Sequence, residues 1–245
     1  MFFLFGLITF LWLLPWRQVL RQLRPAEEAW GTDCVPVSRV TRHSALWAMA
    51  VGHMCNNNGF YFLLASLPLF LVQQRGFSIE QTSYLATLSY IAQAVAALFG
   101  GWISDRWSAG GRSEPSVRRG MLVVGQLPVG VAIIGLLVSD VNALSWLCLW
   151  LIVAGIGNGL GSLNLYAVAQ MFAGSRASGT WVGVQNAVGN ISGIVGPVVT
   201  GLIIDLRGSY VGGFWLAAGV SMAGAAWWDS CCRASRRPIW NSTGQ

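Results

Sequence analysis

Charge is what this chain lacks. At ordinary usage a soluble domain of this length would carry about 61 charged side chains, whereas this one has 15 basic and 9 acidic residues in 245 and is 54% hydrophobic. So few charges exclude a solvated globular surface, and they also exclude disorder, which needs the opposite balance. The charges fall between seven apolar segments, at 2–16, 45–72, 82–103, 120–138, 143–172, 180–204 and 210–228. A helix needs about 20 residues to cross a hydrocarbon core of about 30 Å, and the last six segments meet that length. The first has 15 residues and no basic lead-in, so it reads as the end of a span whose start is missing rather than as a signal peptide. The expected fold class is an all-α, polytopic membrane protein. Its 30 Gly suit close helix packing, and its 13 Trp suit bilayer interfaces.

Every basic residue is Arg. Arg17, Arg21, Arg24, Arg39 and Arg42 follow the first segment; Arg106, Arg112, Arg118 and Arg119 follow the third; Arg176 follows the fifth; Arg233, Arg236 and Arg237 follow the seventh. These alternate connections share one side of the membrane, and only Arg75 and Arg207 lie on the other. The excess of positive charge places the first side in the cytoplasm. Topology thus explains a basic balance that in a soluble chain would suggest nucleic acid, and no nucleic-acid partner is expected. The layout is a partial span at 1–16, a cytoplasmic connection at 17–44, six helices at 45–228 and a cytoplasmic tail at 229–245.

The six helices divide into two triplets, each running long, medium, short. The first triplet starts inside and the second outside, so they are inverted. Their middle helices end alike: Gly101-x-x-x-Asp105-Arg106 closes one and Gly201-x-x-x-Asp205-x-Arg207 closes the other. Inverted three-helix repeats build each half of a major facilitator transporter. Gly101, Asp105, Arg106 and Asp205 are therefore expected to have a structural role at the matched helix ends, and Pro197 to lend its helix a gate-like bend.

No Asp, Glu or Arg lies deep in a segment. Without a nucleophile–base pair or an acidic cluster, enzyme chemistry is not expected, and no catalytic residue, metal ligand or cofactor is assigned. The five Cys show neither metal nor disulfide spacing. What remains is amide and hydroxyl chemistry. Asn56, Asn57, Asn58 and Gly59 should loosen the second segment locally, with Tyr61 one turn on and His53 as packing. Asn186 and Asn190 share one face of the sixth, beside Gln185, while Gly189, Gly193 and Gly196 form another that admits a close neighbour. Gly155, Gly157, Gly159 and Gly161 in the fifth read as packing residues. Asn164 there and Gln93 in the third are secondary candidates. The substrate-lining set is Asn57, Tyr61, Asn164, Gln185, Asn186 and Asn190.

The stretch from Asn57 through Tyr61 and Leu64 to Pro68 resembles helix seven of the anion:cation symporter family, within the major facilitator superfamily. Gly100-Gly101-Trp102-Ile103-Ser104-Asp105-Arg106 with Arg118-Arg119 resembles its loop between helices eight and nine. Ala173 to Asn190, continued by Pro197, Gly201 and Asp205, resembles loop ten and helix eleven. The family includes sialin and the vesicular glutamate, hexuronate, galactonate and phthalate transporters. The resemblance implies helices six to twelve of a twelve-helix protein: the C-terminal six-helix half of the fold, preceded by one partial span. It implies a small organic anion such as a sugar acid as substrate, a proton or sodium ion as coupling ion, a plasma or inner membrane, and alternating access against a matching N-terminal half that carries the cationic residue. Asp105 and Arg106 would hold the cytoplasmic gate. Ala65 and Ser66 depart from the family's usual Thr and large aromatic residue, which leaves the substrate unassigned. A truncated, non-transporting protein or a membrane scaffold is the alternative.

The orientation is testable. A fluorescent protein fused after Gln245 should fold in the cytoplasm, and alkaline phosphatase should be active between Val72 and Thr82 and inactive between Asp105 and Arg118. Reversed activities would overturn the arginine assignment.

Overall fold

The computed structural model describes residues 2–23, 34–140 and 144–234. Arg24, the tail with Arg236 and Arg237, and the side chains of Cys231, Cys232 and Arg233 lie outside the described residues. All regular structure among the described residues is helical, in two compact units that divide between Val35 and Pro36. The first unit holds α1 (Phe2–Leu11) and α2 (Leu13–Leu23). The ladder breaks at Trp12 because Pro15 has no N–H to give the carbonyl of Leu11.

The second unit runs α3 (Val37–Thr41), α4 (Ser44–Tyr61), a π-helical turn (Phe62–Ser66), α5 (Leu67–Gln73), α6 (Ile79–Ala109), α7 (Glu114–Val138), α8 (Leu144–Ala173), α9 (Ser178–Asn190), α10 (Ser192–Arg207) and α11 (Val211–Ala234). Five helical stretches among the described residues are long and apolar enough to cross a membrane: Phe3–Arg21, α6, α7, α8 and the α9–α10 pair, Ser178–Arg207. The two other segments expected to span form α4 to α5, diluted by His53 and three Asn, and α11, diluted by Gly and Trp. Both are helical throughout.

α7 and α8 are the most buried of these stretches, at 56% and 44%, against 11% for α6 and 17% for the α9–α10 pair. α8 lies between α6 and α7, and its glycine pattern sets how closely. Residues four apart share a helix face, and an offset of two turns about 200° around the axis. Gly155 and Gly159 therefore look one way and Gly157 and Gly161 the other. A Cβ on Gly155 would strike the Ser89 carbonyl oxygen of α6, and one on Gly159 that of Gln93. On the opposite face, a Cβ on Gly157 would come 2.5 Å from the Gly125 carbonyl oxygen of α7, and one on Gly125 would come 2.8 Å from Gly161 N. Bare backbone on both sides lets α8 lie directly against two neighbours, the small-residue packing that membrane helices use in place of a hydrophobic drive.

The π turn differs from expectation. The helix is regular through Asn56–Gly59 and widens only at Phe62–Ser66. Pro68 explains the displacement: it cannot donate to the carbonyl of Leu64, so the ladder re-registers ahead of it and Leu67 N–H reaches back to Phe62 O. Beyond the turn, α5 is fastened at its tip. Gln73 accepts from the Tyr210 hydroxyl at 2.7 Å, and Arg75 donates to the Leu137 carbonyl at 3.0 Å, in the last turn of α7. Phe70 packs on Tyr210 and Phe214 with ring centroids 5.6 and 4.7 Å apart.

At the Arg-rich end, Asp105 pairs with Arg118 at 3.0 Å, and Arg118 with Glu114 at 2.8 Å. Arg106 lies over Trp102. Asp205, its counterpart in the other triplet, is exposed, with no hydrogen bond or ion pair among the described residues. His43 caps α4 by accepting the Ala45 N–H, and burial pushes its imidazole below the usual range.

Substitution on α8 tests the packing. Gly159→Ala should lower stability in detergent by about 1–3 kcal/mol, the cost of forcing an extra methyl into a filled contact. Gly219→Ala, whose added Cβ meets nothing within 4 Å, should be neutral or slightly stabilising. Equal melting temperatures for the two variants would contradict the close approach.

Candidate functional site

Three helices bring amides and phenols together at one place. From α4, the Tyr61 hydroxyl donates to Asn190 Oδ1 at 2.6 Å and Asn57 Nδ2 approaches the same oxygen at 3.5 Å. Within α9, Asn190 Nδ2 donates to the Asn186 backbone carbonyl at 2.8 Å and to Asn186 Oδ1 at 2.9 Å. From α8, the Tyr166 hydroxyl donates to Asn186 Oδ1 at 3.0 Å. The five side chains are partly exposed.

Glycines set how near α4 can come. A Cβ on Gly189 would lie 2.6 Å from the His53 ring, and one on Gly193 would lie 2.8 Å from the ring of Tyr61. Tyr61 thus lies flat over α10 with its hydroxyl carried to Asn190. The α9–α10 rod breaks at Ile191, whose N–H bonds Val188 O, six residues before Pro197. The break, rather than the proline, separates the half with the amides and Gly189 from the half with Gly193. His53 is buried beneath this layer, edge-on to Tyr166 at 5.8 Å, with Nδ1 unpartnered.

The arrangement has a chemical direction. Each of the two side-chain oxygens, Asn186 Oδ1 and Asn190 Oδ1, already accepts two donors. Among the described residues the Asn186 Nδ2 group donates to nothing, and Asn57 Nδ2 has one long bond. The cluster keeps amide donors at Asn186 and Asn57, with Asn57 Oδ1 as its open amide acceptor among the described residues, which suits a ligand that carries both carboxylate oxygens and hydroxyls.

Of the six residues assigned from the sequence, Asn57, Tyr61, Asn186 and Asn190 meet here. Asn164 lies elsewhere: it is buried, accepts from Ser104 at 3.3 Å and back-bonds the Leu160 carbonyl, joining α8 to α6. Gln185 is buried one residue round α9 from Asn186, with Oε1 unpartnered. Gln93 lines a separate cavity of about 120 Å³ with Asn158, Thr82 and the π turn. Tyr166 is the residue that sequence reasoning missed. It stands seven residues beyond Gly159 on the same face of α8, and the phenol expected from the sequence was the one beside the Asn run.

The pattern that describes the Major Facilitator Superfamily matches residues 49–244. This chain belongs to that superfamily. It is a multi-pass membrane chain of a superfamily of transporters, not of enzymes. It is 26% identical over 244 residues to "Probable anion transporter 4, chloroplastic" of rice, covering 93% of this chain and 41% of the relative. It is 26% identical to the "Ascorbate transporter, chloroplastic" of Arabidopsis thaliana, over 93% of this chain and 44% of the relative. It is 32% identical to the "Probable galactarate/D-glucarate transporter GudP" of Escherichia coli, over 66% of this chain and 35% of the relative. The chain thus spans less than half the length of these relatives.

Proposed function

We propose that this chain forms the amide-lined half of a transporter for small organic anions of the sugar-acid type. In this reading a matching N-terminal half supplies the cation that meets the substrate carboxylate, and the two halves rock about a midplane site. The observation that carries the reading is the surplus of amide donors at Asn57 and Asn186, backed by Tyr61, Tyr166 and Asn190. Relatives named for galactarate and D-glucarate, ascorbate and anions support the same substrate chemistry.

The division of labour follows from energetics. A carboxylate held at membrane depth without a compensating charge is unfavourable, and the spans of this chain hold no deep Arg or acidic residue. This half would then orient the anion by hydrogen bonds to its hydroxyls and second carboxylate. Coupling to protons is the preferred reading; a relative named as a sodium-dependent phosphate transport protein makes a sodium ion the competing one. Asp105 and Arg118 would form part of the gate on the Arg-rich side, which the arginine distribution assigns to the cytoplasm, in a plasma or inner membrane.

In a complete transporter containing this half, Asn186→Ala and Asn57→Ala should each weaken uptake of labelled galactarate or glucarate by roughly 10- to 150-fold, the effect of losing a charge-assisted hydrogen bond worth about 1.5–3 kcal/mol. Membrane expression should hold. Normal uptake by both variants would reduce these residues to packing amides.

A further inference from the structure

A second cavity lies between α4, α10 and α11. It measures about 310 Å³ and is bounded by Met54 and Asn58 of α4, Val195, Gly196 and Val199 of α10, and Leu216 of α11. It opens outward: Val195 is 50% exposed and Leu216 38%. Its walls are apolar, and an apolar crevice between membrane helices accepts an acyl chain.

Charge then says which lipid. Gly196, Val199, Ile203 and Arg207 are spaced at three, seven and eleven residues, which returns them to one face of α10. That face looks toward α11, because a Cβ on Gly212 would lie 2.7 Å from Ile203 Cγ2. Arg207 closes the stripe in the last turn of α10, exposed and with no hydrogen bond or ion pair among the described residues. It stands about 12 Å along the axis from Val199, within one leaflet of a bilayer whose core is about 30 Å thick. The nearest acidic residue on the helix, Asp205, is two residues back and so about 200° around it, clear of the stripe.

We propose that this crevice is a lipid site, in which one acyl chain of an anionic phospholipid lies between α10 and α11 and its headgroup phosphate rests on Arg207. The inner end carries the Asn58 side-chain oxygen, buried and without a donor, so the competing occupant is a neutral lipid that reaches it with a hydroxyl.

Native mass spectrometry of the full 245-residue chain tests the site, with phosphatidylglycerol, phosphatidylcholine and diacylglycerol of matched chains as probes. One phosphatidylglycerol should be retained in preference to the other two. Arg207→Gln should reduce its retention about tenfold or more, the effect of losing a charged hydrogen bond, and Arg207→Lys should restore most of it. Val199→Trp, which fills the crevice, should abolish it, whereas Leu98→Trp on the exposed face of α6 should not. Arg207→Gln lies at the surface and leaves the fold intact, so it carries the test should Val199→Trp misfold. Equal retention of phosphatidylglycerol and phosphatidylcholine, preference for diacylglycerol, unchanged retention in Arg207→Gln, or a dimer of chains in place of bound lipid would each overturn the proposal.

Discussion

The close approach of α8 to α6 and α7 is the contact on which the rest of this half depends. In lipid, helices gain little from burying apolar surface against one another, and association rests on packing and interhelical hydrogen bonds. Gly155 and Gly159 let the α6 backbone meet α8 on one side, and Gly125, Gly157 and Gly161 do the same for α7 on the other. Ser104 and Asn164 add a buried hydrogen bond to the first of these interfaces. Tyr166 stands seven residues beyond Gly159 on the same face of α8 and reaches Asn186. The same rule operates again at α4, where Gly189 and Gly193 admit His53 and Tyr61. Position of the site thus follows from which residues have no side chain.

Among the described residues of the second unit, two helical rods are broken mid-length, and both breaks flank the site. The π turn at Phe62–Ser66 follows Tyr61 directly, and the step at Ile191 follows Asn190 directly. Each break sits between a half that carries polar side chains and a half that is apolar. The far end of α5 is held by Gln73, Arg75 and Phe70, so it is fastened to α7 and to Tyr210 and Phe214. A rod fixed at its tip and wide at its π turn concentrates any bending beside Tyr61, where π-helical turns are often put to functional use.

The fold was legible because its causes are local. Segment length, arginine placement and the paired Gly-x-x-x-Asp endings are written in the chain, and the roles of the α8 glycines follow from four-residue spacing. The site was legible in part. Asn186 and Asn190 share a face by arithmetic, and Tyr61 stands one turn from Asn57. Tyr166, Asn164 and Gln185 were not legible, because their roles depend on the rotation of α8 and α9 about their own axes. That rotation is set by contacts with α6 and α4 rather than by spacing within one helix. The place where α4 loosens also eluded the sequence: the Asn run stays helical, and Pro68 acts upstream of itself.

The chemistry of the cluster reduces to a count of donors and acceptors. Two carbonyl oxygens are doubly engaged, and two amide nitrogens are not. A solute with carboxylate oxygens for those nitrogens and a hydroxyl for Asn57 Oδ1 completes that set. The most direct measurement is the position of bound galactarate in a density map of a complete transporter that contains this half. A ligand oxygen should lie at hydrogen-bond distance, about 2.7–3.2 Å, from Asn186 Nδ2, with the Tyr61–Asn190 bond retained. Galactarate bound away from Asn57 and Asn186, with the five-residue cluster unchanged, would contradict the assignment of this surface to the anion.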